Sequence, residues 1–343
     1  MPPPAAPRMA DSLAFTAFSM LRANGEVLQF QLMHAAAEQL FFEGKRHLAA
    51  RDAQRARACY RRAVAIAPGL AEAHAGKSLL IVHEGGYGDM IQFSRYAAIL
   101  KHGGARRITL VAPPALQTLL AAVEGIDDVL PSDAAIARSE WDFWVSLMSL
   151  PHLCATRADS IPAGLPYVHA DRDAVARSRP TLPAPGTLVG VVCKGNPKFE
   201  NDEERSIASF ATLAPLADVD GVNFVDLQIG EPQAAPAALD SKLLHPGHRV
   251  EPFADTAAIV DSLDLVICVD TAIAHLAGAM GKPCWVLLPW HMPDWRWLAE
   301  RSDSPWYPGA MRLFRQPARG DWTSVIARVR SALDEFVASG RRR

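Results

Sequence analysis

Residues 263–289 read LDLVICVDTAIAHLAGAMGKPCWVLLP: an apolar run, then Asp270 and Thr271, then a short helix of small residues closed by Gly281-Lys282-Pro283, then a second apolar run. The pattern is that of a compact βαβ unit. Val266, Ile267, Cys268 and Val269 suit a strand buried on both faces, and Thr271 is placed to cap the helix that follows. A helix starting at the carboxyl edge of a parallel sheet offers unpaired N–H donors and a positive partial charge where α/β proteins bind ligands. An anion suits that position. His275 falls one turn after Thr271, and its side chain leans back toward the helix N-terminus. Ala272, Ala274, Ala277, Gly278 and Ala279 leave room for the helix to lie close to the sheet. From these residues two readings stay open: an anion site, or an ordinary buried βαβ unit with a core histidine.

The whole chain has 343 residues, half of them hydrophobic, enough for two cores at roughly 100–200 residues per domain. Its net charge of −2 argues against nucleic acid or an anionic membrane as the main partner. The cysteines Cys59, Cys154, Cys193, Cys268 and Cys284 are scattered and odd in number, as expected of reduced core residues in a cytoplasmic protein. No segment reaches the roughly 18 continuous apolar residues of a membrane span. Residues 1–12, MPPPAAPRMADS, lack the basic start and apolar run of a signal peptide and read as a flexible tail.

Residues 13–77 are rich in Ala, Leu, Arg and Gln at helical spacing and carry no convincing strand. Within them Leu40, Gly44, Ala56, Tyr60, Ala63 and Pro68 put small residues where two helices touch, an aromatic between them and a proline at the end of the second helix. Across 37–70 this resembles one tetratricopeptide repeat, with His47 where an aromatic is usual. A lone repeat cannot cover its own apolar face, so it is expected to pack on the rest of the chain or on a protein partner.

From Ser78 the pattern becomes strands alternating with helices: SLLIVH, a glycine loop, a helix over Met90–Lys101, then RRITLVA, a helix over Pro114–Val123, and the strands IDDVL and DFWVSL. This opens a Rossmann-like domain, 78–170. Residues 171–187 are polar and proline-rich and read as a linker. A second alternation over 188–320 has strands at Leu188–Cys193, Asn223–Gln228, Leu263–Val269, Cys284–Leu288 and Met311–Phe314. A helix over Trp322–Ser339 and a basic tail complete 321–343. Two Rossmann-like halves joined by a linker imply a cleft between them.

Four constellations follow strand ends. Gly85, Gly86 and Gly88 let the chain turn before a helix, and Asp89 comes next. Without the dinucleotide glycine spacing or an acidic residue ending the next strand, a nicotinamide cofactor is not expected. Asp89 either caps the helix or takes a proton from an acceptor hydroxyl. Lys194, at the end of the first strand of the second half, suits a phosphate, with Arg205 and Ser206 able to join it on the same anion. Gln228 ends another strand and is positioned to meet a nucleobase. The aromatic stretch PWHMPDWRWL, 289–298, either lines the cleft or packs the last helix. Asp171-Arg172-Asp173 and Asp218-Val219-Asp220 read as solvated, and no metal site is expected.

Taken together, EGGYGDMIQFSRY (84–96), CKGNPKFENDEERSI (193–207), VDTAIAHLAGAMGKPCWVLLP (269–289), PDWRW (293–297), SPWYPGAMRLFRQP (304–317) and GDW (320–322) resemble bacterial tetratricopeptide-repeat proteins fused to a heptosyltransferase-like, glycosyltransferase family 9-like domain. The resemblance spans about 37–330. It implies a GT-B architecture, an α/β fold with two Rossmann-like domains facing a cleft and a short α-helical repeat region before them. It also implies Asp89 as catalytic base, Lys194 as donor-phosphate ligand, and Asp270, Thr271, Ala272 and His275 around the donor. Ala272 departs from the glycine often found there. The expected activity is metal-independent, cofactor-free transfer of a sugar from a nucleotide-diphosphate donor to a hydroxyl of a glycan or protein. The alternatives are a non-catalytic sugar-nucleotide sensor or scaffold, or a sugar-nucleotide epimerase.

Overall fold

A computed structural model of the chain describes residues 76–134, 140–182, 185–199, 201–230, 234–246 and 252–340. The expected tail 1–12, nearly all of the helical region 13–77 and its repeat-like span 37–70 lie outside them. The chain divides after Pro162 into two units, each built on its own parallel sheet.

In the first unit the elements run β1 Ser78–Val82, α1 Tyr87–Phe93, α2 Tyr96–His102, β2 Arg107–Ala112, α3 Pro114–Leu120, β3 Asp128–Pro131, β4 Phe143–Ser146 and α4 Leu150–Leu153. The sheet order is β3-β2-β1-β4 with every pair parallel. Leu79, Leu80 and Ile81 are buried because helices cover both faces of such a sheet. The single helix expected over Met90–Lys101 is two. At the break the Ser94 hydroxyl donates to the Ile91 carbonyl (2.8 Å) and Arg95 Nε to the Gln92 carbonyl (2.8 Å). Side-chain donors thus compete for carbonyls at the turn where the ladder would have continued.

The second unit contains α5 Arg172–Ser178, β5 Thr187–Val192, α6 Asp202–Arg205, β6 Val222–Asp226, α7 Ala237–Asp240, β7 Leu243–Leu244, α8 Phe253–Asp261, β8 Leu265–Val269, α9 Ala272–Ala279, β9 Cys284–Leu288, β10 Met311–Arg315 and α10 Trp322–Ala338. Its sheet order is β10-β9-β8-β5-β6-β7, again parallel throughout. Helix α10 lays Val325, Ile326, Val329 and Leu333 against Trp285, Phe314, Phe210 and Phe224. At roughly 1.5–3 kcal/mol per buried aliphatic side chain, this contact makes α10 part of the second core and not a detached end.

The stretch that decided the fold forms the expected βαβ unit. Every residue of β8 and β9 is buried. Helix α9 closes with Gly281 in the left-handed region (φ +68°), its N–H on the Gly278 carbonyl (3.0 Å) and the Lys282 N–H on the Ala277 carbonyl (2.9 Å). This is a Schellman closure, and it requires a residue without a Cβ penalty. The four described cysteines, Cys154, Cys193, Cys268 and Cys284, are free thiols; Cys59 lies outside the described residues.

Domain limits fall elsewhere than the composition implies. Tyr167 and Val168 donate their N–H groups to the Ala279 carbonyl (3.0 and 3.3 Å), so 163–170 belongs to the second unit and not to a first domain ending at 170. Within the expected linker 171–187, residues 172–178 form α5. Asp171 Oδ1 caps it by accepting from the Ala174 N–H (2.8 Å), and the Ser178 hydroxyl reaches the Ala258 carbonyl of α8 (3.3 Å). The prolines that suggested a linker follow the helix instead of interrupting it.

A Cβ added at Gly278 would sit 2.6 Å from Tyr307 Cδ1 and 2.7 Å from Met311 Cε. Gly278→Ala is expected to destabilise the fold by about 1–3 kcal/mol through overpacking, measured as a lower urea midpoint with an unchanged slope.

Candidate functional site

In the first unit the chemistry gathers on the loop between β1 and α1. Gly85 has φ +80°, and a Cβ there would meet Asp89 Oδ2 at 2.4 Å. Both facts demand glycine. Asp89 Oδ2 accepts the Gly86 N–H at 2.6 Å from the third position of α1, with Gly88 just before it. Asp89 therefore caps its helix, as the plainer expectation held, and the same bond fixes the carboxylate on the loop. A second carboxyl, Glu84, stands beside it. It accepts the hydroxyl of Ser146 at the end of β4. Burial first, and then the charge of Asp89, raise its pKa, while the Met148 N–H lowers it.

In the second unit the sheet register does the gathering. Val192 of β5 pairs with Cys268 of β8, and Lys194 and Asp270 each follow two residues later, past the ends of β5 and β8 at the same carboxyl edge. Lys194 is half-buried, and no carboxylate pairs with its ammonium among the described residues. Its backbone is clamped by Gln228, whose Oε1 accepts the Lys194 N–H (2.9 Å) while Nε2 donates to the Lys194 carbonyl (3.1 Å). The glutamine expected at a nucleobase is thus engaged at both ends with the lysine loop.

Ser206 and Arg205 meet the same loop. The Ser206 hydroxyl accepts the Gly195 N–H (2.9 Å) and donates to Asp202 Oδ1 (2.9 Å), which also receives Arg205 Nε (3.2 Å). The guanidinium lies over the Phe199 ring, 4.4 Å from its centroid. A Cβ at Gly195 would strike Arg205 Nη2 at 2.5 Å. Glycine there lets the arginine close on the main chain.

Asp270 and Thr271 lead into α9. Thr271 holds the N-cap position with extended backbone (φ −144°, ψ 172°) but makes no capping bond. Its buried Oγ1 lies beside the Cys268 thiol without a hydrogen bond of normal geometry. Among the described residues no side chain is bonded to the first-turn N–H groups; the Ala274 N–H meets the Thr271 carbonyl (3.1 Å), and Ala272 sits half-buried. The Asp270 carboxyl is pushed up from 3.8 to about 6. Burial is the main cause and Asp294 adds to it; the Trp297 indole and the Arg296 and Arg205 guanidinium groups oppose it.

His275 has turned inward. It is 5 % exposed, stacks on Trp297 (5.3 Å, 22°), and its Nδ1 lies 2.8 Å from the Tyr307 hydroxyl. These contacts anchor α9 to the aromatic stretch 295–307. The turn that presents Trp297 is in turn held by Arg315, whose Nη2 donates to the Trp297 carbonyl (2.6 Å) and to that of Leu298, a residue at φ +48°.

Glu84, Asp202, Asp294, Arg296 and Arg315 escaped the sequence reading of the site. Glu84 had the signal that marked Lys194, a charged residue directly after a strand; the others act through partners their own neighbourhood does not announce. Among the described residues no group of three or more His, Cys, Asp or Glu side chains is arranged to hold a metal ion, and no helix is long and apolar enough to cross a membrane.

No family model matches the chain. Protein FlbA of Caulobacter vibrioides is 30% identical over 208 residues, 58% of this chain and 34% of the relative, so the chain spans about a third of the length of that curated protein. Its fold recurs among solved structures. A glycosyl transferase family 9 protein from Veillonella parvula gives a TM-score of 0.55 at 12% identity, covering 78% of this chain and 98% of that one. The ADP-heptose lps heptosyltransferase II of E. coli gives 0.56 at 11% identity, covering 77% and 100%. The shared fold is the mixed α/β architecture of parallel, Rossmann-like sheets described above.

Because the folded pKa of Asp270 is raised, its stability contribution is full below the unfolded value and is lost as pH rises through about 6. Asn mimics the protonated form, so Asp270→Asn is expected to stabilise the protein near neutral pH by at most ~3 kcal/mol, with the gap closing at about pH 4. Urea titrations of both proteins at the two pH values check it; an equal gap at both would contradict the assignment.

Proposed function

We propose that the chain is a GT-B glycosyltransferase that moves a sugar from a nucleoside-diphosphate donor to a hydroxyl of a glycan or protein. The observation that carries the reading is the register of β5 and β8, which brings Lys194 and the start of α9, where the N-cap side chain makes no bond, to the same carboxyl edge of the sheet. An ammonium and main-chain N–H donors together suit a diphosphate. The fold shared with the two transferase structures supports the reaction class.

In this reading Lys194 and the first turn of α9 bind the donor diphosphate, with Arg205 and Ser206 shaping the loop beside it. Asp89 takes the proton of the acceptor hydroxyl. The acceptor oxygen then bonds the anomeric carbon as the bond to the diphosphate breaks, and the departing negative charge is met by Lys194 and the helix dipole. Cationic and N–H donors suffice for that charge, so the reaction is proposed to need neither metal nor cofactor. Asp270 orients the helix start, and His275 serves by holding α9 in place. A cytoplasmic site of action, and a protein partner for the helical region, are parts of the same proposal. The E. coli neighbour's name makes ADP-heptose the first donor to try.

One observation favours a second reading. Asp89 is already bonded to the Gly86 N–H, which suits a helix cap in a non-catalytic sugar-nucleotide sensor. The two readings part on variants. Lys194→Ala is expected to weaken donor binding at least tenfold, the scale of a lost charge-assisted contact. Asp89→Ala is expected to remove transfer while leaving donor affinity within about twofold. Calorimetry and product analysis with ADP-, GDP- and UDP-sugars measure both, and donor binding without transfer by the native chain selects the sensor.

A further inference from the structure

The β5–β6 ladder ends at the pair Val191 and Asp226. The β5–β8 ladder ends one residue later, at Val192 and Cys268, and past it the Gln228 side chain holds the backbone of Lys194. Asp226, 5 % exposed at the end of β6, accepts the Gln228 N–H on Oδ1 (2.8 Å). Its Oδ2 lies 3.0 Å from His245 Nδ1, just past β7, and His245 Nε2 lies 3.6 Å from Asp240 Oδ1 at the end of α7. Gln228 then spends its amide on both backbone groups of Lys194. The contacts form one line, Asp240 to His245 to Asp226 to Gln228 to Lys194, crossing from the sheet's edge strand toward its middle.

A buried carboxylate is an expensive way to fill space, since an apolar side chain of similar size would pack there at no desolvation cost. Burial indeed raises the pKa of Asp226, against the pull of the Gln228 N–H and His245. The feature such a residue supplies and an apolar one cannot is a fixed acceptor for two donors on different segments. One of those donors belongs to the residue that clamps Lys194.

We infer that Asp226 and His245 are positioning residues for Lys194, setting its ammonium through the Gln228 clamp for a nucleoside diphosphate. The inference rests on the reading of Lys194 as a phosphate ligand. His245 is exposed at the sheet's edge, so His245→Ala can be made without opening the core, whereas Asp226→Ala removes a buried partner and serves only as a supporting variant.

The test is a double-mutant cycle on the full chain, with binding of ADP, GDP, UDP, CDP and dTDP measured by calorimetry and folding checked by thermal unfolding. His245→Ala and Gln228→Ala are each expected to weaken binding roughly tenfold, the scale of one lost hydrogen bond at a charged site, and to have no further effect once Lys194 is Ala. Equal weakening with and without Lys194 would mean a merely structural role and overturn the inference, as would normal binding in both variants while Lys194→Ala binds poorly. Unchanged binding in Lys194→Ala itself, or no binding by the native chain, would instead overturn the phosphate reading and this inference with it.

Discussion

Parallel strands buried on both faces leave polar side chains one place to appear, the end of the strand, and the second unit depends on that constraint. β5 and β8 carry no charged residue along their length, and both turn polar two residues beyond the pair Val192 and Cys268. The register therefore fixes more than the hydrogen bonds between the strands. A shift of one residue would exchange the faces of every side chain in the run and separate Lys194 from Asp270 by a full strand step. The chemistry at the edge and the apolar interior share one cause.

Charge at that edge is arranged against the preference of water. Asp270 and Asp226 are both raised from the ordinary aspartate value, burial being the larger cause in each. Arg296, 6 % exposed, pairs with Asp294 at 2.6 Å, and Arg315, half-buried, donates to carbonyls of the 297–301 turn. Buried charges of this kind contribute little net stability compared with apolar side chains of equal volume. They gather around the start of α9 and the Lys194 loop, as perturbed groups would at the site proposed there.

Much of this was legible in the sequence, for a physical reason. Runs such as LLIV, LVICV and CWVLL announce strands because they are short, uniformly apolar and rich in β-branched or aromatic residues, as strands buried on both faces are, and the residue after each run falls near the edge. Lys194 and Asp270 were placed at the edge that way, and Asp89 by the glycine loop before it. What escaped were features decided by distant partners. The break in the helix at Ser94 depends on hydroxyl and guanidinium bonds that propensity does not weigh. Helix α5 was hidden by the prolines after it, β7 is two residues long, and Gln228 is committed to a backbone 34 residues away. Composition can place a side chain at an edge; it cannot aim it.

His275 shows where the helical-face argument stops. Spacing puts it one turn from Thr271, but α9 is buried from Ile273 through Ala279, so one face is as covered as the other and periodicity cannot tell ligand side from packing side. The aromatic stretch at 295–307 resolves the matter by stacking on the ring. The open part of α9 is then its first turn alone, with a threonine that does not cap and an alanine whose methyl group offers no hydrogen bond. In the proposed reading, recognition at this point falls to main-chain N–H groups. Their direction is set by the register of β8, the Schellman closure at Gly281 and the His275 anchor, which makes the packing residues of α9 as consequential for binding as any side chain that meets the donor.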